Sequence, residues 1–363
     1  MINIACFHLY NDYSGSPKVL RNVLEGLLDR EYAINIITSD TNGVLDELKG
    51  NDHIRYEYFH YSPCENKIVW ALSLIYAQIC LFFKALKYKS CPVFYINTIM
   101  PMGAALAGKL LGKRIIYHYH ENAFIKSTFY RFLYKVMLLI ADEIICVSNY
   151  QRSFLPHGHN ISVVYNALPT SFIKKLAPDV KKAYIRNNIL MVSSLVLYKG
   201  PIEFITLATK VKQYNFTLVL NETKESIDRF IEKHNIKLPK NLCIYPRQTE
   251  ISSFYNAASI LLNLSDRRKF IETFGMTALE GMSAGLPVIV PPVGGIAELV
   301  KDNVNGYKID VQELDTIAQK IDYMLQDYRV YHRLAEGALS TASLYSNKKM
   351  CDEIAERINR NLE

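Results

Sequence analysis

The chain of 363 residues has no C-x-x-C pair, and its seven cysteines (positions 6, 64, 80, 91, 146, 243 and 351) are scattered and odd in number. A disulfide framework or a zinc site needs clustered cysteines, so the pattern indicates a reducing, cytoplasmic setting. The opening segment, MINIACFHLYNDYSG, lacks the basic start and long apolar core of a signal peptide. The longest uncharged run, Ile68–Phe83, falls short of the roughly 20 residues a spanning helix needs, and it carries Ser73 and Gln78. It reads either as a buried core helix or as a helix touching the bilayer interface, helped by Lys84, Lys87 and Lys89 at its trailing end. Repeats and low-complexity tracts are absent. Tryptophan is almost so: a single Trp stands against 25 Tyr and 16 Phe. Most of these rings are expected in the core, although some suit stacking on sugars.

Acidic residues are missing from one stretch in particular. The whole chain carries 42 Lys/Arg and 35 Asp/Glu, a net +7 that excludes an acidic solvating protein without indicating nucleic acid. Between Lys67 and Lys135, however, ten Lys/Arg (Lys126 among them) face one acid, Glu121. That local balance of +9 exceeds the net charge of the chain. A negative surface or substrate is expected to approach here.

Half of the residues are hydrophobic, enough to bury two cores. Short apolar runs alternate with longer amphipathic ones, the pattern of parallel-sheet α/β domains. Strands are expected at Asn3–Phe7, Ala33–Ile37, Val93–Ile96, Arg114–Tyr117, Glu143–Val147 and Ser162–Val164. Helices fit at Ser16–Arg30, Ile68–Tyr88, Gly103–Leu111 and Ser127–Ala141. A polar, Lys-rich stretch precedes a second series, with strands at Ile189–Ser193, Thr217–Leu220, Leu242–Tyr245, Ile260–Leu264, Val288–Val290 and Tyr307–Ile309. Met350, Ile354, Ile358 and Leu362, four apart, mark a final amphipathic helix. Two Rossmann-like domains facing across a cleft follow, with ligands expected at the carboxyl ends of the strands.

Nucleotide signatures of other kinds are lacking. No strand is followed by G-x-G-x-x-G, which removes the main support for a dinucleotide oxidoreductase. GAALAGKL at 103–110 nearly matches a P-loop, yet Leu110 stands where Mg-binding Ser or Thr belongs, and Ala-Ala-Leu-Ala forms helix rather than a phosphate cradle. Asp-x-Asp is also missing, which weakens transfer built around a carboxylate-held metal.

The most informative segment is FIETFGMTALEGMSAGLPVIVPPVGG, residues 270–295. A helix starting near Thr273 would place Glu272 just before it and Glu280 inside it. Eight helical residues rise about 12 Å, too far for the two carboxylates to share a proton or a metal. They suit opposite ends of an elongated ligand. Amides near Gly275, Met276 and Thr277 lie at the helix start, where partial positive charge favours a diphosphate.

With these residues the chain resembles the family-4 retaining glycosyltransferases of the GT-B fold. Glu272 and Glu280, with Phe274-Gly275 between them, match the family's E-x7-E motif. LEGMSAGLPVI, GGIAELV and NGY (305–307) follow its pattern, as do YSGSPKVL (13–20), ADEIICVSNY, VVYNAL and VSSLVLYKG (192–200). The likeness extends over nearly the whole chain. It implies a GT-B fold with an acceptor-side domain at 1–168, a nucleotide-sugar domain at 169–345 and a crossover helix at 346–363 returning to the first domain. By resemblance Glu280 holds the ribose hydroxyls, Glu272 the transferred sugar and Lys199 the diphosphate, while the Gly15-Ser16 loop abuts the phosphates. The family usually has Arg five residues before that Lys; here it is Ser194, and Arg247 or the run Arg267-Arg268-Lys269 is the expected substitute. That run also reads as a solvated loop.

In YHYHEN (117–122), His118 and His120 alternate along a strand end, a pattern read as leaving one of them to face the ligand. The resemblance selects His120, at the sugar's reacting carbon. Glu121 is expected to orient it or to meet the acceptor, with a helix-start acid as the plain alternative. His8, His53, His60, His157, His159, His234 and His332 show no ligand spacing and receive no role.

The function these readings imply is retaining transfer of a hexosyl unit, without a metal or other cofactor. The donor is a nucleoside-diphosphate sugar, UDP favoured over GDP, and the acceptor a hydroxyl of a lipid-diphosphate-linked glycan. Surface-polysaccharide assembly, of O-antigen or capsule, is the expected setting. Domain closure is expected to assemble the site, and the +9 segment to rest peripherally on the anionic inner face of the cell membrane. A sugar-nucleotide epimerase or a non-catalytic nucleotide-sugar-binding module are the alternatives.

Overall fold

β-branched and aromatic runs set between turn residues form two parallel sheets in a computed structural model that describes residues 1–61, 63–64, 66–123, 127–157 and 160–360. Lys126, His159 and Leu362 lie outside the described residues. The chain divides into two units, Met1–Ala167 with Asn347–Glu363, and Leu168–Ser346.

In the first unit the strands are β1 (Asn3–Phe7), β2 (Ala33–Ser39), β3 (Ile54–Phe59), β4 (Val93–Asn97), β5 (Arg114–Tyr119), β6 (Glu143–Cys146) and β7 (Ile161–Val163), in the order β3-β2-β1-β4-β5-β6-β7. All pairs are parallel. The winding reverses between β1 and β4, which opens a crevice at their carboxyl ends. β3 was not expected. Its Arg55 and Glu57 interrupt the apolar run that marks a buried parallel strand, and an edge strand tolerates them; Glu57 accepts from Lys84, Lys87 and Tyr88.

The helices of this unit that matter here are α1 (Gly15–Leu28), α2 (Lys67–Ala85), α3 (Met102–Leu110) and α4 (Thr128–Ile140). Asn66 caps α2, its side chain accepting from the amides of Ile68 and Val69. A 3-10 turn, Leu86–Tyr88, continues α2, and the combined helix is long and apolar enough to cross a membrane by length and composition. Leu74, Ala77, Leu81 and Ala85 are buried in the core while Ile68, Leu72, Ile75, Ile79 and Phe83 are exposed. The segment is thus a core helix on one side only.

The C-terminal helix, Asn347–Asn359, packs on α1 of the first unit. A Cβ on Gly26 would meet Cys351 Sγ at 2.2 Å, so the two helices touch closely there. Arg30 pairs with Asp352, and Arg357 with the buried Glu143 at 3.2 Å.

The second unit repeats the plan with β8 (Asn188–Ser193), β9 (Asn215–Leu220), β10 (Leu242–Tyr245), β11 (Ile260–Leu262), β12 (Val288–Val290) and β13 (Gly306–Lys308). Their order is β10-β9-β8-β11-β12-β13, again all parallel, with the reversal between β8 and β11.

Candidate active site

The crevice of each unit collects polar side chains at the carboxyl ends of its central strands. In the first unit His8 follows β1, Asn97 closes β4 and His120 follows β5. Asn97 links all three neighbours. His120 Nε2–H donates to Asn97 Oδ1 at 3.0 Å, and Asn97 Nδ2–H donates to His8 Nδ1 at 3.1 Å and toward the Ser16 carbonyl at 3.5 Å. This polarity puts the proton of His120 on Nε2 and leaves Nδ1 as an acceptor. Burial, then the neighbouring His118 and His8, holds the His120 pKa well below its ordinary value, so the ring is neutral. His8 is lowered to about 4, chiefly by burial, and its Nε2 has no hydrogen-bond partner among the described residues.

His118 and His120 share one face. Residues two apart on a strand point the same way, and the two ring centroids lie 4.2 Å apart. Depth, not face, distinguishes them: His118 is fully buried and paired with the Tyr95 hydroxyl at 2.8 Å, whereas His120 lies beyond the strand end. Glu121 starts no helix; its Oε2 accepts from the Ile99 amide at 3.1 Å. Gly15 opens α1, and a Cβ added there would have nothing within 4 Å.

In the second unit Lys199 and Glu272 are in direct contact. Lys199 Nζ donates to Glu272 Oε1 at 2.6 Å, Ser265 Oγ to the same oxygen at 2.8 Å and Asn263 Nδ2 at 3.4 Å. Oε2 has no hydrogen-bond partner among the described residues, so one carboxylate oxygen is left for a ligand. The Lys199 ammonium also sits 3.8 Å from the centroid of the Phe270 ring. Burial raises the Glu272 pKa, but the Lys199 charge and the three hydrogen bonds outweigh it and hold the carboxyl below its usual range. Lys199 reaches this point because Gly200 follows it at φ +82°, where a Cβ would stand 2.5 Å from the Leu264 carbonyl.

The helix after Glu272 starts at Met276, later than the expected Thr273. Gly275 is the reason: at φ +102° it turns the chain into the helix, and a Cβ there would meet Ile296 at 2.4 Å. Glu272 therefore lies outside the helix, with its carbonyl accepting from Gly295 at 2.8 Å. The first turn, with Met276 and Thr277, presents amides without intrahelical partners beside it, and Asn263 Nδ2 reaches Thr277 Oγ1 at 3.4 Å. Glu280, inside the helix, accepts from the Tyr255 hydroxyl. The two acids thus have separate partners.

Arg247 stands at the end of the edge strand β10, donating to Asn221 Oδ1 at 2.7 Å. Arg267 pairs with Asp310 at 2.5 Å, and Arg268 and Lys269 with Asp266. The charges of Arg267, Arg268 and Lys269 are thus directed to Asp310 and Asp266. Among the described residues no group of three or more His, Cys, Asp or Glu is placed to hold a metal ion.

Two family models match in tandem: Glycosyltransferase Family 4 over residues 13–172 and Glycosyl transferases group 1 over residues 173–341. The chain belongs to the family-4 glycosyltransferases of the GT-B fold. This glycosyltransferase is 23% identical to the UDP-Gal:alpha-D-GlcNAc-diphosphoundecaprenol alpha-1,3-galactosyltransferase of Escherichia coli, over 90% of this chain and 88% of that one. It is 21% identical to the N-acetyl-alpha-D-glucosaminyl L-malate synthase of Bacillus anthracis, over 93% and 90%. Among solved structures, HepE of Anabaena in complex with UDP and glucose superposes with a TM-score of 0.78 at 19% identity, covering 99% of this chain and 100% of that one.

Sequence reasoning missed His8, Asn97, Asn263, Ser265 and Tyr255. The first four sit at carboxyl ends of strands flanking the reversal points, so inspecting every polar residue after β1, β4 and β11 would have found them. Tyr255 had no such signal, because its helix approaches Glu280 only in the folded chain.

Proposed function

We propose that the glycosyltransferase moves a hexosyl unit from a UDP-sugar, in preference to a GDP-sugar, to a hydroxyl of a lipid-diphosphate-linked glycan, with retention at the anomeric carbon. The observation that carries the reading is the Lys199–Glu272 contact beside the helix start at Met276. A nucleoside diphosphate arriving there meets a half-buried ammonium and the amides of a helix start, donors that oppose the charge developing on the leaving group without a metal. Glu272 Oε2 receives hydroxyls of the sugar, and Glu280, oriented by Tyr255, receives those of the ribose. His120, neutral and with Nδ1 as an acceptor, takes a hydrogen bond from a hydroxyl of the sugar near the reacting carbon, and Glu121 is assigned to the acceptor side. The bond from the anomeric carbon to the diphosphate oxygen breaks, the acceptor oxygen bonds on the same face, and the departing phosphate takes the acceptor's proton. Gly15 and Ser16 approach the phosphates, and Arg247 supplements Lys199 in place of the cation missing at Ser194.

The lipid-linked acceptor is supported by the diphosphoundecaprenol-linked substrate in the name of the E. coli relative and by the +9 segment in the first half. Assembly of O-antigen or capsule, by an enzyme peripheral on the inner membrane face, suits both. Thermal-shift titration with UDP, GDP, ADP and dTDP tests the base. A panel of nucleotide sugars, read by nucleotide release with and without a lipid-linked acceptor, tests the reaction. Release undiminished in Glu272→Ala would overturn the site, and a new sugar formed from the donor and water alone would make the enzyme an epimerase.

A further inference from the structure

α2 is apolar on every side, yet only one side is covered. Leu74, Ala77, Leu81 and Ala85 face the core. Gln78 ties the same side to α3: its Oε1 accepts from the Gly103 amide at 2.9 Å, and a Cβ on Gly103 would lie 2.1 Å from the Gln78 carbonyl. The two helices therefore meet backbone to backbone. On the opposite side Ile68, Leu72, Ile75, Ile79 and Phe83 form one stripe at helical spacing, each between 52% and 73% exposed. Nearby helices add bare apolar side chains, Leu110 on α3 and Phe132 and Leu139 on α4. Trp70 of α2 meets Phe129 of α4 edge to face at 6.0 Å. Contiguous apolar exposure of this kind marks a surface that something covers.

Charge selects the occupant. α2, α3 and α4 contain no Asp or Glu. Lys67, Lys89, Arg131 and Lys135 are exposed, and among the described residues none has an ion-pair partner. A second copy docked on the same face by a two-fold would bring these cations against themselves. A bilayer with anionic headgroups complements them and takes up the stripe as well. The contact of Gln78 with Gly103 and the burial of Leu74, Ala77, Leu81 and Ala85 argue against spanning, because crossing the membrane would strip these residues from the core.

We propose that α2 lies in the plane of an anionic bilayer, its outer stripe sunk to the acyl boundary and the four cations on lipid phosphates. The inference rests on the lipid-linked-acceptor reading for its purpose, since it brings the enzyme to the surface where that acceptor is held. Flotation of the full chain with phosphatidylcholine vesicles, with and without phosphatidylglycerol, tests it. Wild type is expected to float with the anionic vesicles and to stay partly bound in high salt, as apolar insertion requires. Ile75→Glu and Ile79→Glu are each expected to weaken partitioning roughly tenfold, with the melting temperature and the UDP-induced thermal shift unchanged. Leu72→Gln/Phe83→Gln, milder and equally exposed, checks the same stripe if a glutamate variant misfolds. Arg131→Glu/Lys135→Glu is expected to weaken binding only to the anionic vesicles. Wild type that floats with neither vesicle overturns the proposal, as does stripe-variant binding equal to wild type. A concentration-dependent dimer in sedimentation that Ile75→Glu dissolves would also overturn it, assigning the stripe to a second copy. Transfer to a lipid-linked acceptor held in detergent, without vesicle binding, refutes this inference and spares the functional reading; vesicle binding without any transfer does the reverse.

Discussion

Replacing Lys199 by Met keeps most of the side-chain length and removes the charge that Glu272 is paired with. Lys199 and Glu272 are 18% and 15% exposed, so the carboxylate left behind would be largely desolvated. Breaking a buried pair from one side costs about 3–5 kcal/mol. Ser265 and Asn263 still donate to Glu272, which puts the expected loss near the lower end, about 3 kcal/mol, or roughly 6–12 °C in the melting temperature of a unit this size. In the wild type the carboxyl is held below its ordinary 4.5. Its stabilising contribution is therefore full above that value and lost as pH falls through the lower folded pKa. Without Lys199, burial dominates and the folded pKa rises above the unfolded one. An acid shifted upward destabilises while ionised, so the gap between variant and wild type should narrow as pH drops from 7 toward 5. Urea unfolding of wild type, Lys199→Met, Glu272→Gln and the double variant at both pH values measures this. At pH 7 the double variant should be more stable than Lys199→Met, because no buried charge is left unpaired. A double variant no more stable than Lys199→Met, or a gap that widens in acid, would refute the reasoning.

Asn97→Leu removes the acceptor of His120 Nε2–H and is expected to lower kcat about 10–100-fold with nucleotide affinity unchanged; an equal loss of UDP binding in titration calorimetry would place Asn97 in folding instead. Tyr255→Phe should raise the donor KM about 5–30-fold by removing a hydroxyl that orients the Glu280 carboxylate, and an unaltered KM would count against the role given to Glu280. Gly275→Ala combines a positive φ with a Cβ 2.4 Å from Ile296, and should destabilise the second unit by about 2 kcal/mol or more; a wild-type unfolding midpoint would show the turn to be freer than drawn.

Twelve of the strands were legible because parallel strands without charged interruptions read as apolar runs between turn residues, and their ends fell close to those expected. β3 was not, because Arg55 and Glu57 break its apolar run, as an edge strand allows. The E-x7-E segment identified the site of the second unit, yet its helix began later than expected because periodicity is blind to the positive φ of Gly275. Lys199 and Glu272, 73 residues apart, were assigned to neighbouring parts of one donor, but their direct contact depends on two loops meeting at the reversal between β8 and β11.

By itself, then, the sequence determined the two Rossmann-like units, the family and the acid-poor, basic character of the stretch from Lys67 to Lys135, since all three are written in composition, period and local motif. Only the tertiary structure decided which polar side chains meet, and that Asn97 joins His8 to His120. It also decided that α2 turns a full apolar face outward. An apolar run says that a helix avoids water, while packing alone says on which side it has succeeded.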